Sequence, residues 1–425
     1  MRHDVATVRR GARLAACVCL TAALHAQERA IPPAVRPFVS IDAPVVALVH
    51  VQLVDGTGGP ARADQTVIVR GDVIESVGSS ATTPPPVGAR VLDLAGHTVF
   101  PGQVGLHEHT YFASIDAATG GIRRLTPMNV SAPLLYLAYG VTTAMTAGSA
   151  FPYHELNLKR AVDAGDVPGP RFLISGAYLT GPSRNPMFRS AATADDVRRV
   201  IAYWATEGAT WVKFHTATTR ELLKAGIDEA HARGLRVTGH LCAVTFTEAA
   251  ALGIDLLQHG LITNSEYVPG KVPDICPPGN QRLQADIDVA TLPVQESIRA
   301  IVAARTAVAS TLGAYETFIP GRAPLHAAAL EALEPEGRRE VVALQAGLAQ
   351  RDWALPPRML NKMMQWERAF VAAGGLLGAG SDPWGTGNLP GVGNLRNFEL
   401  LIEAGFAPEQ AVQILTLNGA RIVGE

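Results

Sequence analysis

Two histidines separated by one residue face the same way only if the backbone between them is extended. His107 and His109 stand in Gly105-Leu106-His107-Glu108-His109. On a strand this spacing turns both imidazoles toward one metal, with Glu108 facing the other way. The competing reading is a pair of satisfied core histidines. Other polar residues interrupt apolar runs farther along. His240 ends Leu235-Arg236-Val237-Thr238-Gly239-His240, His259 ends Ile254-Asp255-Leu256-Leu257-Gln258-His259, and Asp382 follows Leu376 to Ser381. Alone, each has an ordinary explanation: a core histidine bonded to backbone, or an aspartate capping the next helix. Lys213 is harder to explain, because it lies inside Trp211-Val212-Lys213-Phe214. A buried ammonium without an anion is expensive, and nearby cations lower its pKa further. A neutral amine takes up carbon dioxide to give a carbamate, whose two oxygens are able to bridge two metals. A lysine snorkelling to a rim, or paired with an acid, is the alternative.

These residues need elements that bring them to one place. After Pro101-Gly102, short apolar runs alternate with helical patterns. Candidate strands end near His109, Ala147, Gly176, His215, His240, His259, Leu312 and Asp382. Leu223, Ile227 and Ala230 share one helical face; so do Met359, Met363 and Phe370, and, in a third helix, Leu395, Phe398 and Ile402. Eight strand–helix units in about 300 residues fit an α/β fold of the (β/α)8 barrel type better than an open sheet. Reacting groups in such barrels sit where strands end. Residues 45–100 are β-rich, with turns at Asp55-Gly56-Thr57-Gly58-Gly59 and Arg70-Gly71-Asp72, and read as a small β domain. The barrel domain takes residues 101–425. Residues 264–287 form a long loop bearing proline and glycine after the sixth strand.

Composition bounds the rest. Of 425 residues, 48% are hydrophobic and 17% charged, with a formal net charge of −2. No basic run points to nucleic acid. Residues 1–26 read as an export signal: Arg2, Arg9, Arg10 and Arg13 precede the apolar Leu14–Ala26 stretch, which is too short to span a bilayer. Residues 27–44 are an extended, proline-bearing lead-in. The mature chain would be periplasmic or secreted, with no membrane span. It would keep Cys242 and Cys276, whose pairing sequence leaves open.

The order His-x-His, Lys, His, His, Asp resembles the amidohydrolase superfamily, in its imidazolonepropionase-like and prolidase-like (Xaa-Pro dipeptidase-like) branch. Val54-Asp55-Gly56-Thr57-Gly58-Gly59, Phe100-Pro101-Gly102, Gly239-His240, Gln258-His259-Gly260, Gly380-Ser381-Asp382 and Leu417-Asn418-Gly419-Ala420-Arg421 carry it further. The resemblance implies that His107, His109 and Asp382 bind one divalent ion, that His240 and His259 bind a second, and that a carboxylated Lys213 bridges them. It implies a TIM-type barrel beside a β-sandwich. The family returns to that sandwich after the barrel, whereas this sequence stops at Glu425, so the sandwich is expected to lack its C-terminal strands.

The implied activity is that of a binuclear metal-dependent hydrolase cleaving a carbon–nitrogen amide bond in a dipeptide or N-acyl amino acid. The metals activate a bridging water and polarise the carbonyl, and Asp382 accepts the proton and passes it to the leaving amine. Zinc suits the imidazoles, with manganese or iron as alternatives. Tyr178, Arg184, His215 and Tyr267 are candidates for touching a small-molecule substrate. A homo-oligomer is compatible with the sequence. Two other enzyme readings are a cyclic amide or imide hydrolase and a deaminase; Lys213 argues against the latter. A non-catalytic binding protein on a degenerate barrel is the reading from another class.

Overall fold

The computed structural model describes residues 31–183, 185–322 and 325–425. The proposed export signal and Arg184 lie outside these residues. Five strands make the small domain: β1 (Val45–Leu53), β2 (Arg62–Arg70), β3 (Val73–Ser79), β4 (Arg90–Asp93) and β5 (Thr98–Val99). They form one mixed sheet in the order β3-β2-β1-β4, with β5 also beside β1. Val45, Ala47, Val49, Val51 and Leu53 alternate inward along β1, as period-two patterning requires.

The large domain is built on a ten-stranded parallel sheet. Its strands are β6 (Gln103–Glu108), β9 (Val141–Thr146), β10 (Arg171–Leu173), β11 (Tyr178–Thr180), β12 (Arg189–Ser190), β13 (Trp211–Phe214), β14 (Arg236–Gly239), β15 (Leu256–Gln258), β16 (Ala307–Ser310) and β17 (Leu377–Ala379). The order runs β10-β9-β6-β17-β16-β15-β14-β13-β11-β12. β10 and β11 are consecutive in sequence yet far apart on this path, β10 at one end and β11 next to the other, with the bend at Gly176 between them. In that bend Ala177 bridges Ser149, and the Thr210 amide donates to the Ile174 carbonyl. All eight expected strand ends are found.

Between β6 and β9 lies a hairpin that the sequence did not announce, β7 (Tyr111–Ile115) paired with β8 (Ile122–Pro127). Its turn is held by Asp116, whose side chain accepts from the Ala118 and Thr119 amides. Gly120 has φ +71°, and a Cβ there would lie 2.8 Å from the Trp353 ring. Glycine is therefore required on both counts.

Helices cover the sheet: α1 (Ala194–Glu207), α2 (Arg220–Ala232), α3 (Phe246–Leu252), α4 (Leu292–Ala303), α5 (Arg358–Ala372) and α6 (Val392–Glu403) among them. Leu223, Ile227 and Ala230 of α2 are buried, as are Met359, Met363 and Phe370 of α5. The expectation for α6 holds only for Phe398, which packs half-buried against the core. Leu395 is 40% and Ile402 37% exposed, while Asn394, Asn397, Leu400 and Leu401 face inward. The reason is polar satisfaction. Asn397 accepts from the Gly313 amide and donates to the Ser310 carbonyl, and Asn394 donates to Glu108. Buried polar groups need partners, and asparagine supplies them where an apolar residue would not.

A disulfide joins Cys242, two residues beyond His240, to Cys276 in the long loop, with Cα atoms 4.9 Å apart. No helix among the described residues is long and apolar enough to cross a membrane.

The inverted α6 face is testable. Asn397→Leu should lower stability by roughly 1–3 kcal/mol, since it leaves the buried Gly313 amide without its acceptor. Leu395→Ser should cost about 0.5 kcal/mol or less. Denaturant unfolding of both variants checks this; equal losses would refute the assignment of the face.

Candidate active site

The strand ends converge. His107 and His109 leave β6, Lys213 lies in β13, His240 follows β14, His259 follows β15, and Asp382 lies three residues beyond β17. Asp382 is the common neighbour. Its Oδ1 lies 3.4 Å from His107 Nε2 and 3.3 Å from His109 Nε2, and its Oδ2 lies 3.7 Å from His259 Nδ1. The His240 ring centroid is 4.4 Å from that of His259. His259 and Asp382 have φ of +70° and +45°. Such backbone is uncommon outside glycine and clusters at functional sites.

The ring orientation of His107 follows from a hydrogen-bond chain. Thr238 Oγ1 donates to the Leu256 carbonyl, which frees it to accept from Gln258 Nε2. That same amide also donates to the Leu106 carbonyl. Gln258 Oε1 must then face His107 Nδ1, 2.8 Å away, as an acceptor. Nδ1 carries the proton, and Nε2 presents a lone pair to the Asp382 carboxylate. A lone pair against an anion at this distance is repulsive unless a cation lies between them. Burial, with the Lys213 ammonium beside it, holds His107 well below the usual imidazole range. Burial does the same to His240, His259 and His215, so all four rings are neutral donors.

Three buried atoms here have no hydrogen-bond partner: His109 Nδ1, His259 Nε2 and Lys213 Nζ. Lys213 is 1% exposed, and burial brings its ammonium down to about 7 against a smaller opposing pull from Asp382. His107, His259 and Asp382 each offer one ligand atom, all within 4.8 Å of one another. Neutral imidazoles, a carboxylate and orphaned donors suit a divalent cation.

These groups open into a cavity of about 400 Å³. Tyr178, His215 and Lys213 line it with His107, His109, His240 and Asp382. The Tyr178 hydroxyl lies 3.2 Å from His109 Nε2 and 2.7 Å from the Tyr111 hydroxyl. Tyr267, a substrate candidate from sequence, does not line the cavity. Its hydroxyl meets Ser297 of α4 and receives the Trp366 indole N–H of α5. Its aromatic ring packs on the core instead.

Sequence reasoning missed the support behind the ligands. Glu108 does face away from the imidazoles, as expected, but it is wholly buried and works there. Its carboxyl receives the Ser381 amide at 3.2 Å and Asn394 Nδ2 at 2.7 Å, and also meets the Ser381 hydroxyl. It thus ties β6 to the residue before Asp382. Burial pushes its carboxyl up to about 7. The argument applied to Lys213, a charge inside an apolar strand, would have found it. Thr311, 2.8 Å from His259 Nδ1, and Tyr111 left no such signal.

Outer partners of ligand histidines set ring orientation and basicity. Gln258→Leu should therefore weaken cation binding roughly 10–100-fold. Competition against a chromogenic chelator measures it; unchanged affinity would remove Gln258 from the site.

No protein-family model and no curated protein matches the chain. Solved structures do. A prolidase candidate from Bifidobacterium longum matches with a TM-score of 0.62 and 23% identity, over 90% of this chain and 84% of its own. A Xaa-Pro dipeptidase with methionine in its active site gives 0.62 and 17%, over 89% and 88%. Bottromycin amidohydrolase gives 0.65 and 18%, over 94% and 82%. At these identities the likeness is one of fold, and the fold it gives this chain is that of the prolidase-like amidohydrolases.

Proposed function

We propose that the chain is a metal-dependent amide hydrolase whose parallel sheet closes into a (β/α)8 barrel around two divalent cations. The carrying observation is the deprotonated His107 Nε2 facing the Asp382 carboxylate, with the unpartnered Lys213 amine buried beside them. In this reading His107, His109 and Asp382 hold one cation, and His240 and His259 hold the other. Lys213 would join them as a carbamate, formed when its neutral nitrogen bonds to the carbon of carbon dioxide and releases one proton. Zinc is the first choice for imidazole donors, ahead of manganese or iron.

When bound, the cations supply Lewis acidity at the carbonyl and a water acidic enough to attack near neutral pH. The chain's own residues do the rest. Asp382 takes the proton from the attacking water as the oxygen–carbon bond forms. It returns that proton to the nitrogen as the carbon–nitrogen bond breaks. Tyr178 and His215 face the reacting centre from the strand-three and strand-four side. Dipeptides and N-acyl amino acids, the class that the resemblance implies, are amides of this kind. The Cys242–Cys276 disulfide supports an exported enzyme, because such bonds persist in oxidising compartments.

Removing cations with a chelator should abolish amide hydrolysis, and adding zinc should restore it. Lys213→Ala should lower kcat by roughly 10³-fold or more, with partial recovery on adding short carboxylates. Elemental analysis and kinetics check both. A folded, cation-free protein that no added ion activates would overturn the proposal, and full activity in Lys213→Ala would overturn the bridging role.

A further inference from the structure

The walls of the cavity say more about the substrate than its floor does. On one side, Phe188 stacks obliquely on His215, with centroids 4.3 Å apart, and meets Tyr178 edge-on at 5.5 Å. On the other, Tyr315 lies 5.3 Å from His259 and 6.1 Å from Phe318. Trp384, beyond β17, adds another ring, and Ile122, where β8 begins, also lines the cavity. These rings are held before any ligand arrives. Tyr178 is pinned through Tyr111, and Phe318 packs on Trp353, which itself covers Gly120 of the hairpin tip.

Charge is distributed quite differently. Among the described residues lining the cavity, the charged side chains are Lys213 and Asp382, and both belong to the proposed ligand set. The remaining polar lining outside the histidines and tyrosines is uncharged, Asn185 and Gln281. Among the described lining residues, no cationic side chain outside the proposed ligand set answers a carboxylate on the substrate. A free carboxylate drawn against those rings, away from the proposed ligand set, would lose its water and meet no cationic side chain among the described lining residues, a costly exchange. An aromatic ring, by contrast, gains edge and face contacts with rings already in position.

We infer that the site takes neutral amides carrying an aromatic group, and that Phe188 and Phe318, which both line the cavity, select for that group. The inference narrows the proposed function: within the amide class, members ending in a free carboxylate, as dipeptides and N-acyl amino acids do, are disfavoured against their neutral counterparts. It rests on the amide-hydrolase reading for turnover but not for binding.

The test uses full-length, zinc-loaded protein and matched pairs of anilides. In the first pair, 3-phenylpropanoyl anilides carry either a para-carboxamide or a para-carboxylate. In the second, the acyl group of the carboxamide anilide is 3-phenylpropanoyl or acetyl. Both kcat/KM and equilibrium binding, followed by quenching of tryptophan fluorescence, are measured. The neutral member and the phenyl-bearing member should each be favoured by about tenfold or more. Phe188→Ala and Phe318→Ala should each shrink the phenyl-over-acetyl preference. Should no anilide turn over, the binding preference still decides the inference, while the hydrolase reading fails by itself. Equal or tighter binding of the carboxylate, lost in Arg184→Met, would overturn the inference. So would a phenyl preference unchanged in both phenylalanine variants.

Discussion

One electrostatic confrontation governs this molecule: a ring nitrogen with its lone pair bared, held 3.4 Å from a carboxylate in a place water barely reaches. Left alone, it raises the energy of the fold. It persists because neither partner is free to turn away. The Gln258 amide fixes the His107 ring, and the left-handed backbone at Asp382 aims its carboxylate inward. The sheet thus stores an arrangement that is unfavourable by itself and favourable around positive charge. Lys213 compounds it, since a buried amine without a partner is costly in either protonation state.

The support for that arrangement comes from outside the sheet. Glu108 points away from the cluster, yet it binds Ser381 and Asn394, and so connects the first strand, the last strand and α6. The polar inner face of α6 follows from this. Asn394 and Asn397 face the sheet because it offers them an acid, a carbonyl and an amide. A run of leucines in those positions would leave the Gly313 amide without an acceptor and take the Asn394 donor from Glu108. Stability and function therefore share residues at this seam.

Much of this was legible in the sequence, and the failures have physical causes. The strand ends at His109, His215, His240, His259 and Asp382 were readable because a charged or imidazole residue in an apolar run needs a special reason. The β7–β8 hairpin was not, since Tyr111-Phe112-Ala113-Ser114-Ile115 is buried on both faces and shows no alternation. In α6 the apolar period pointed outward, because its partners were polar and distant in sequence. Tyr267 stood in the right loop, but a tyrosine pairs its ring with a core and its hydroxyl with a neighbour as readily as with a ligand. Cysteines 34 residues apart offer no local signal for pairing.

The disulfide has a geometric consequence. Cys242 and Cys276 enclose a covalent ring of chain that contains β15 and His259. Closing a ring of that length removes about 4 kcal/mol worth of freedom from the unfolded chain, on the chain-entropy account. Within the folded state the ring acts as a collar. It ties the segment that follows His240 to the long loop that follows His259, so the covalent link spans two of the strand ends that carry candidate ligands.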